Sequence, residues 1–324
     1  MRIAINGFGR IGRSFFKQAL EIPELEIIAI NDLGDFNNLK YLLKYDTVYG
    51  KFDTPIADSI KLLQEPDPSK LPWKDLQIDV VIESTGIFDD YTKAQSHLSA
   101  GAKKVIITAP AKGNEGIDGK TILLGINESE SQNFSIISNG SCTTNAISSI
   151  LAILTQQPGI KKAILSTTHA YTSTQKIIDS PSKKDFLRGR AGASNIIPAS
   201  TGAANTITKV LSNLNNKFDG IALRVPVICG SIADITFISA QPTNVEEINN
   251  ILTQASLDIK WNKLIAVSKE PLVSSDILKT TIPAIIDLSL TRVVDHDLVK
   301  IFSWYDNEWA YAHTLILQLL NMLK

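Results

Sequence analysis

A chain of 324 residues is long enough for two domains of roughly 150 residues each. With 44% hydrophobic and 20% charged residues it can bury a large core, and a formal net charge of −1 excludes a nucleic-acid footprint or a basic membrane face. Its two cysteines, Cys142 and Cys229, exclude a disulfide scaffold and make a reducing, cytoplasmic compartment the default reading.

Met1–Asn6 already reads as a strand, with no charged and apolar leader before it. No apolar run reaches the roughly 18 residues that a membrane helix needs. The first part of the chain alternates short apolar runs with helical patterns. Strands are expected at Ile3–Ile5, Glu26–Ile30, Asp79–Glu83, Lys104–Thr108, Ile122–Leu124 and Phe134–Ile137. Several are unbroken Val/Ile runs, as a parallel sheet covered on both faces requires. Helices are expected at Arg10–Leu20, Asn37–Tyr45 and Tyr91–Ala100. This alternation predicts a doubly wound α/β domain over residues 1–141.

The pattern changes at Ser141. A helix starts at Cys142 and runs to about Thr155, stopped by Pro158-Gly159. Runs at Ile164–Thr168, Gly220–Val225 and Asp234–Ser239 then suggest an α+β domain, residues 142–306, with a mainly antiparallel sheet. Tyr171–Asn195 is long, polar and without periodicity, and a loop of that length is usually functional or interfacial. Ala310–Leu323 reads as an amphipathic terminal helix, and the segment 307–324 is expected to return to the first domain.

The first strand–helix turn reads Gly7-Phe8-Gly9-Arg10-Ile11-Gly12. Alone, such a triplet of glycines is a weak signal. Between an N-terminal strand and an apolar helix it gains a mechanism: a tight turn at Gly7, backbone approach to a pyrophosphate at Gly9, and helix–strand packing at Gly12. The helix N-terminus then offers unpaired N–H groups to phosphate. Asp32, 20 residues after Gly12, can accept from a ribose hydroxyl and repels a 2′-phosphate, which favours NAD over NADP.

Asn139-Gly140-Ser141-Cys142-Thr143-Thr144-Asn145 places Cys142 at a helix start among hydroxyls, where the dipole favours thiolate. Cys229, in Val227-Ile228-Cys229-Gly230, reads as a buried structural thiol. His169 ends a strand and is a candidate base, although spacing alone cannot pair it with Cys142. Thr201-Gly202 opens a helical pattern suited to an anion, and Arg224 fits a phosphate fork and a structural ion pair equally well.

Four segments in order, Asn6–Arg13, Ser141–Asn145, Asn195–Ala204 and Trp304–Glu308, resemble the glyceraldehyde-3-phosphate dehydrogenases along nearly the whole chain. The resemblance implies Cys142 as nucleophile and His169 as its base. It implies NAD contacts from Gly7, Gly9, Arg10, Ile11, Gly12, Asp32, Thr108 and Asn307. Ser141, Thr143, Thr201 and Gly202 would bind attacking inorganic phosphate, while Thr172 and Arg224 would hold the phosphate of glyceraldehyde 3-phosphate, with Arg188 assisting one site. It also implies a homotetramer in which Tyr171–Asn195 closes a neighbour's cofactor site, and Pro181 in that loop resembles NAD-using members. No metal, nucleic-acid or membrane partner is indicated.

The chain departs from the family pattern at Pro66, where an adenine-side arginine is common, and in Val48–Gln64, which is short. It departs again at Val227-Ile228-Cys229, at Ala310 and at Ala312-His313-Thr314. A sister enzyme acting on erythrose 4-phosphate and a noncatalytic nucleotide-binding module are the alternatives. Retention of Cys142, His169 and the phosphate-site hydroxyls argues against the second.

Overall fold

The computed structural model describes residues 1–182 and 185–323. It divides into two compact units, one formed by Met1–Ser141 with the chain from Tyr311 onward, the other by Cys142–Ala310. The returning segment thus begins at Tyr311, after the expected residue 307.

The first unit is built on strands β1 (Arg2–Asn6), β2 (Glu26–Asn31), β5 (Lys61–Leu63), β6 (Val80–Glu83), β7 (Lys104–Ile107), β8 (Lys120–Thr121) and β9 (Ile136–Ser138). They form one sheet in the order β5-β2-β1-β6-β7-β9-β8, with every pairing parallel. A separate two-stranded ribbon joins β3 (Tyr45–Asp46) to β4 (Gly50–Lys51). Helices α1 (Arg10–Ala19), α2 (Phe36–Lys44) and α3 (Tyr91–Ser99) belong to this unit. Successive strand residues point to opposite faces, so each face carries its own core. Ile3, Ile5 and Ile82 pack with Phe15 and Phe16 of α1 and with Leu315, Ile316 and Leu319 of the terminal helix α7 (Trp309–Met322). Ala4, Val81 and Val105 pack on the other side with Trp73, Ile78 and Tyr91.

The strand expected at Ile122–Leu124 does not form. Pairing stops at Thr121 because Asn127 takes over the backbone: its Oδ1 accepts from Leu123 N at 2.8 Å and its Nδ2 donates to Thr121 O at 2.9 Å.

In the second unit α4 (Cys142–Leu154) leads into β10 (Ile160–Ala170). Strands β11 (Ile197–Ser200), β12 (Phe218–Val225), β13 (Ser231–Ser239), β14 (Ile265–Ser268), β15 (Ala284–Asp287), β16 (Arg292–Val294) and β17 (Leu298–Tyr305) complete a sheet ordered β11-β12-β10-β13-β17-β15-β14, with β16 on β17. It is mixed and mainly antiparallel, but β10 runs parallel to β12 and β14 to β15. Helices α5 (Ala203–Val210) and α6 (Val245–Leu257) accompany α4. Along β13 every second residue is buried, and the alternate ones are only half-buried. Ile164, Ile221 and Leu298 are exposed. The segment expected as a loop, 171–195, holds one 3-10 turn, Phe186–Gly189; its residues 183–184 lie outside the described residues.

The glycine turn explains its own composition. Gly7 has φ +94°, and a Cβ there would sit 2.6 Å from Thr85 N. A Cβ on Gly12 would collide with the Gly7 carbonyl oxygen. Gly12→Ala is therefore expected to destabilise the first unit by about 2 kcal/mol, the scale of overpacking against unyielding backbone. Thermal unfolding monitored by circular dichroism checks this, and an unchanged midpoint would refute it.

Candidate active site

In the first unit, the C-terminal ends of the parallel strands open onto a cleft of about 300 Å³ lined by Asn6, Gly7, Gly9, Asn31, Asp32, Glu65, Pro66, Ser84, Thr85 and neighbouring apolar side chains. This is where an open α/β sheet binds its ligand. Gly9 has no atom within 4 Å of a built Cβ although its backbone angles suit any residue, so its glycine keeps room for a ligand. That room, at the start of α1, fits a pyrophosphate. Asp32 Oδ2 accepts from Phe8 N at 2.6 Å and Oδ1 from Gly34 N at 2.8 Å, which fixes the carboxylate at the cleft wall. Asp32 and Glu65 are acids, and among the described residues no Lys, Arg or His lines the cleft, so no cation there offsets their repulsion of a 2′-phosphate.

Of the expected cofactor residues, Gly7, Gly9 and Asp32 line this cleft, whereas Arg10, Ile11, Gly12 and Thr108 do not. The Arg10 side chain turns to Asp46, Nη1 to Oδ2 at 2.8 Å, and lies over the Tyr49 ring. Thr108 follows β7 and donates its N–H to Glu83 O at 3.0 Å. Asn6, Asn31, Glu65 and Thr85 were missed by sequence reasoning. Their signal is position alone, since Asn6 and Asn31 end strands and Thr85 follows one.

In the second unit, Cys142 is the first residue of α4, and its Sγ lies 3.4 Å from His169 Nε2. The parallel register of β10 and β12 pairs His169 directly with Arg224. Arg224 Nη1 approaches His169 Nδ1 at 2.5 Å and donates to Ala170 O at 3.1 Å, while Nδ1 is 2.7 Å from that same carbonyl. Arg224 Nε is buried without a hydrogen-bond partner. Arg188 lies close enough to disfavour the Arg224 charge. Two guanidinium groups in mutual repulsion and a bare buried N–H define a place for an anion.

Burial, with Arg224 adding to it, pushes the His169 imidazole down to about 3. Burial also pushes the Cys142 thiol up, against the opposing pull of Arg224 and Thr143. Burial therefore opposes the thiolate that Arg224 and the start of α4 favour.

Thr143 is buried, and its Oγ1 is 3.0 Å from Tyr305 Oη, which also meets Thr167 Oγ1 at 2.8 Å. Tyr305 lies edge-on to His169 at 5.8 Å, a position that its place in the segment Trp304–Glu308 does not reveal. Thr201 Oγ1 accepts from Ala203 N at 3.2 Å, and Gly202 caps α5. Thr172 lies two residues beyond the end of β10, where its N–H donates to Gln175 Oε1 at 3.0 Å. Arg188 is held by Asp185 at 3.3 Å. Ser141, the last residue of the first unit's N-terminal segment, precedes Cys142 directly. Asn307 Oδ1 accepts from Gly230 N at 3.1 Å and Ser231 Oγ at 2.9 Å, so its NH₂ end is what remains to offer. Cys229 is buried, its Sγ 3.4 Å from Asp306 Oδ1. Among the described residues no group of three or more His, Cys, Asp or Glu could hold a metal ion, and no helix is long and apolar enough to cross a membrane.

A dinucleotide cleft with a fixed acid, and a cysteine–imidazole pair beside two guanidinium groups, define an NAD-dependent oxidoreductase. Comparison with protein families agrees: residues 1–91 match "Glyceraldehyde 3-phosphate dehydrogenase, NAD binding domain", and residues 141–307 match its C-terminal domain. The chain is 46% identical to a glyceraldehyde-3-phosphate dehydrogenase of Thermotoga maritima, covering 100% of this chain and 99% of the relative. It is 42% identical to that of Geobacillus stearothermophilus, over 98% and 96%. It is 44% identical to glyceraldehyde-3-phosphate dehydrogenase 2 of Streptomyces arenae, again over 98% and 96%. The chain belongs to the glyceraldehyde-3-phosphate dehydrogenase family.

The depressed His169 gives a pH signature. Its folded value of about 3 lies below the ordinary 6.5, so the unfolded chain binds the extra proton between them and stability falls as pH drops through that window. Between pH 6.5 and 5 the wild type should lose about 2 kcal/mol that His169→Asn does not lose. Denaturant unfolding at the two pH values measures it. Equal losses in both proteins would refute the assignment.

Proposed function

We propose that this chain oxidises D-glyceraldehyde 3-phosphate, with inorganic phosphate and NAD, to 1,3-bisphosphoglycerate and NADH through a thioester on Cys142. The observation that carries the reading is the Cys142–His169 contact of 3.4 Å beside Arg224, whose buried Nε has no partner. Arg224, with Thr172 at the adjoining strand end and Arg188 nearby, holds the substrate's phosphate. Thr201 and Gly202, at the start of α5, receive the attacking phosphate together with Ser141 and Thr143.

The tautomer that serves as base carries its proton on Nδ1, toward the Ala170 carbonyl, against the competing donor Arg224 Nη1, and leaves the Nε2 lone pair toward Sγ. The Cys142 sulfur adds to the aldehyde carbon, and the thiol proton passes through Nε2 to the carbonyl oxygen. His169 then takes the proton of the new hydroxyl as the C–H hydride departs, which leaves a thioester on Cys142. Gly7, Gly9, Asp32 and the adjoining backbone of Arg10 to Gly12, with Thr108 and Asn307, would hold NAD, which would supply the hydride acceptor. Inorganic phosphate attacks the thioester carbon, the C–S bond breaks, and His169 returns its proton to sulfur. Because burial disfavours the imidazolium, His169 gives up each proton readily.

The test is NADH formation followed by absorbance. Sustained turnover should require phosphate or arsenate, and without either it should stop near one NADH per site. Equal turnover over many cycles without them would refute the thioester route.

The assembly we propose is a homotetramer in a reducing cytoplasm, which suits two free cysteines. It is supported by Ile177 and Phe186, 91% and 90% exposed, on the segment between β10 and β11, and by the exposed Ile164, Ile221 and Leu298 of the sheet. Sedimentation equilibrium at micromolar concentration should give four chains per particle; a stable monomer would overturn this.

A further inference from the structure

We infer that His97 is a positioning residue for NAD, which sets the wall of the dinucleotide cleft through Glu83 from a site with no access to the cleft. The inference deepens the reading of the first unit's cleft as the NAD site and rests on it.

His97 lies on α3, fully buried, and is absent from the cleft lining. Trp73 Nε1 is 3.0 Å from its Nδ1. An indole N–H can only donate, so Nδ1 carries no proton and Nε2 carries one. Nε2 then donates to Glu83 Oε2 at 3.1 Å. The same oxygen accepts from Asn6 Nδ2 at 2.6 Å, and Glu83 Oε1 accepts from Thr85 N at 2.8 Å and Thr85 Oγ1 at 2.5 Å. Glu83 is buried, and among the described residues no Lys or Arg pairs with it; neutral donors hold its carboxylate.

The Glu83 carboxylate, which can only accept, sets the direction of every later bond. With Asn6 Nδ2 committed to Glu83, its Oδ1 must accept, and it does so from Asn31 Nδ2 at 2.7 Å. Asn31 Oδ1 is thereby turned to Glu65 N at 2.9 Å, while Asn31 Nδ2 also reaches Glu65 O at 3.0 Å. Asn6, Asn31, Glu65 and Thr85 all line the cleft. One chain of bonds, with the His97 tautomer fixed by Trp73 and the sense beyond it by the Glu83 carboxylate, thus joins the ends of β1, β2 and β6 and the loop beyond β5. Removing the His97 donor leaves a buried carboxylate short of one partner. Glu83 then pulls on Asn6 and Thr85, and the wall moves.

The experiment compares wild type with His97→Phe, His97→Gln, Thr85→Ala and Val105→Ala. The last is a buried change on the same side of the sheet that leaves the chain of bonds intact. Calorimetry gives Kd for NAD, kinetics give KM and kcat, and thermal unfolding gives the midpoint. His97→Phe should raise Kd and KM for NAD about tenfold, with kcat at saturating NAD and KM for the aldehyde within about twofold. His97→Gln, which keeps an N–H for Glu83, should recover most of that affinity. Thr85→Ala, at the rim, should weaken NAD about threefold. Val105→Ala should lower the midpoint and leave Kd unchanged. A folded His97→Phe that binds NAD like wild type overturns the inference, as does a Kd that follows the midpoint through Val105→Ala. If His97→Phe does not fold, an unchanged Kd for Thr85→Ala overturns it alone. A wild-type protein that binds no NAD removes the cofactor reading itself.

Discussion

The chemistry of the second unit depends on the parallel register that seats Arg224 beside His169. A guanidinium at 2.5 Å from an imidazole nitrogen makes that imidazole a poor place to keep a proton. The same cation opposes the burial that holds Cys142 as a thiol. One side chain therefore works on both members of the pair: it drives protons off the base and favours the nucleophile's anion. An arriving substrate phosphate would engage the bare Nε and ease its repulsion from Arg188. The charge that tunes the pair is thus also the charge that substrate would satisfy.

The first unit solves a different problem with the opposite means. Among the described residues Glu83 and His97 are buried without Lys or Arg, and oriented neutral donors take the place of a counter-charge for the one carboxylate. Desolvated ions are costly to hold, whereas a fully satisfied chain of neutral donors is stiff and directional.

Much of this was legible in the sequence because period and turn chemistry are local. Val/Ile runs gave the parallel sheet, and Gly7, Gly9 and Gly12 marked the turn between β1 and α1. Other features were not legible, because they depend on register. Nothing in the spacing sets His169 abreast of Arg224; that follows from β10 and β12 pairing in parallel, inside a domain whose pattern suggested antiparallel strands. The burial that acts on Cys142 was not legible either, because a helix start is visible in sequence and desolvation is not. Ile122–Leu124 has strand composition, yet Asn127, a few residues later, takes its backbone. Among the family departures, Thr314 accepts from Asn139 Nδ2 at 2.8 Å and His313 meets Gln18 at 3.0 Å, so that stretch has partners within its own unit. Nothing in the structure explains why Pro66 replaces an arginine.

The three glycines of the first turn differ in what they protect. Gly7 and Gly12 are surrounded by backbone, so any larger residue there disturbs the fold before it reaches a ligand. Gly9 has ordinary backbone angles and open space where its side chain would be. A methyl group at Gly9 would leave the folded chain nearly untouched and would occupy only the volume reserved for phosphate. Selection for stability is therefore blind to that position, and only selection for binding can hold it as glycine. Within one six-residue motif, the demands of folding and of function fall on separate residues.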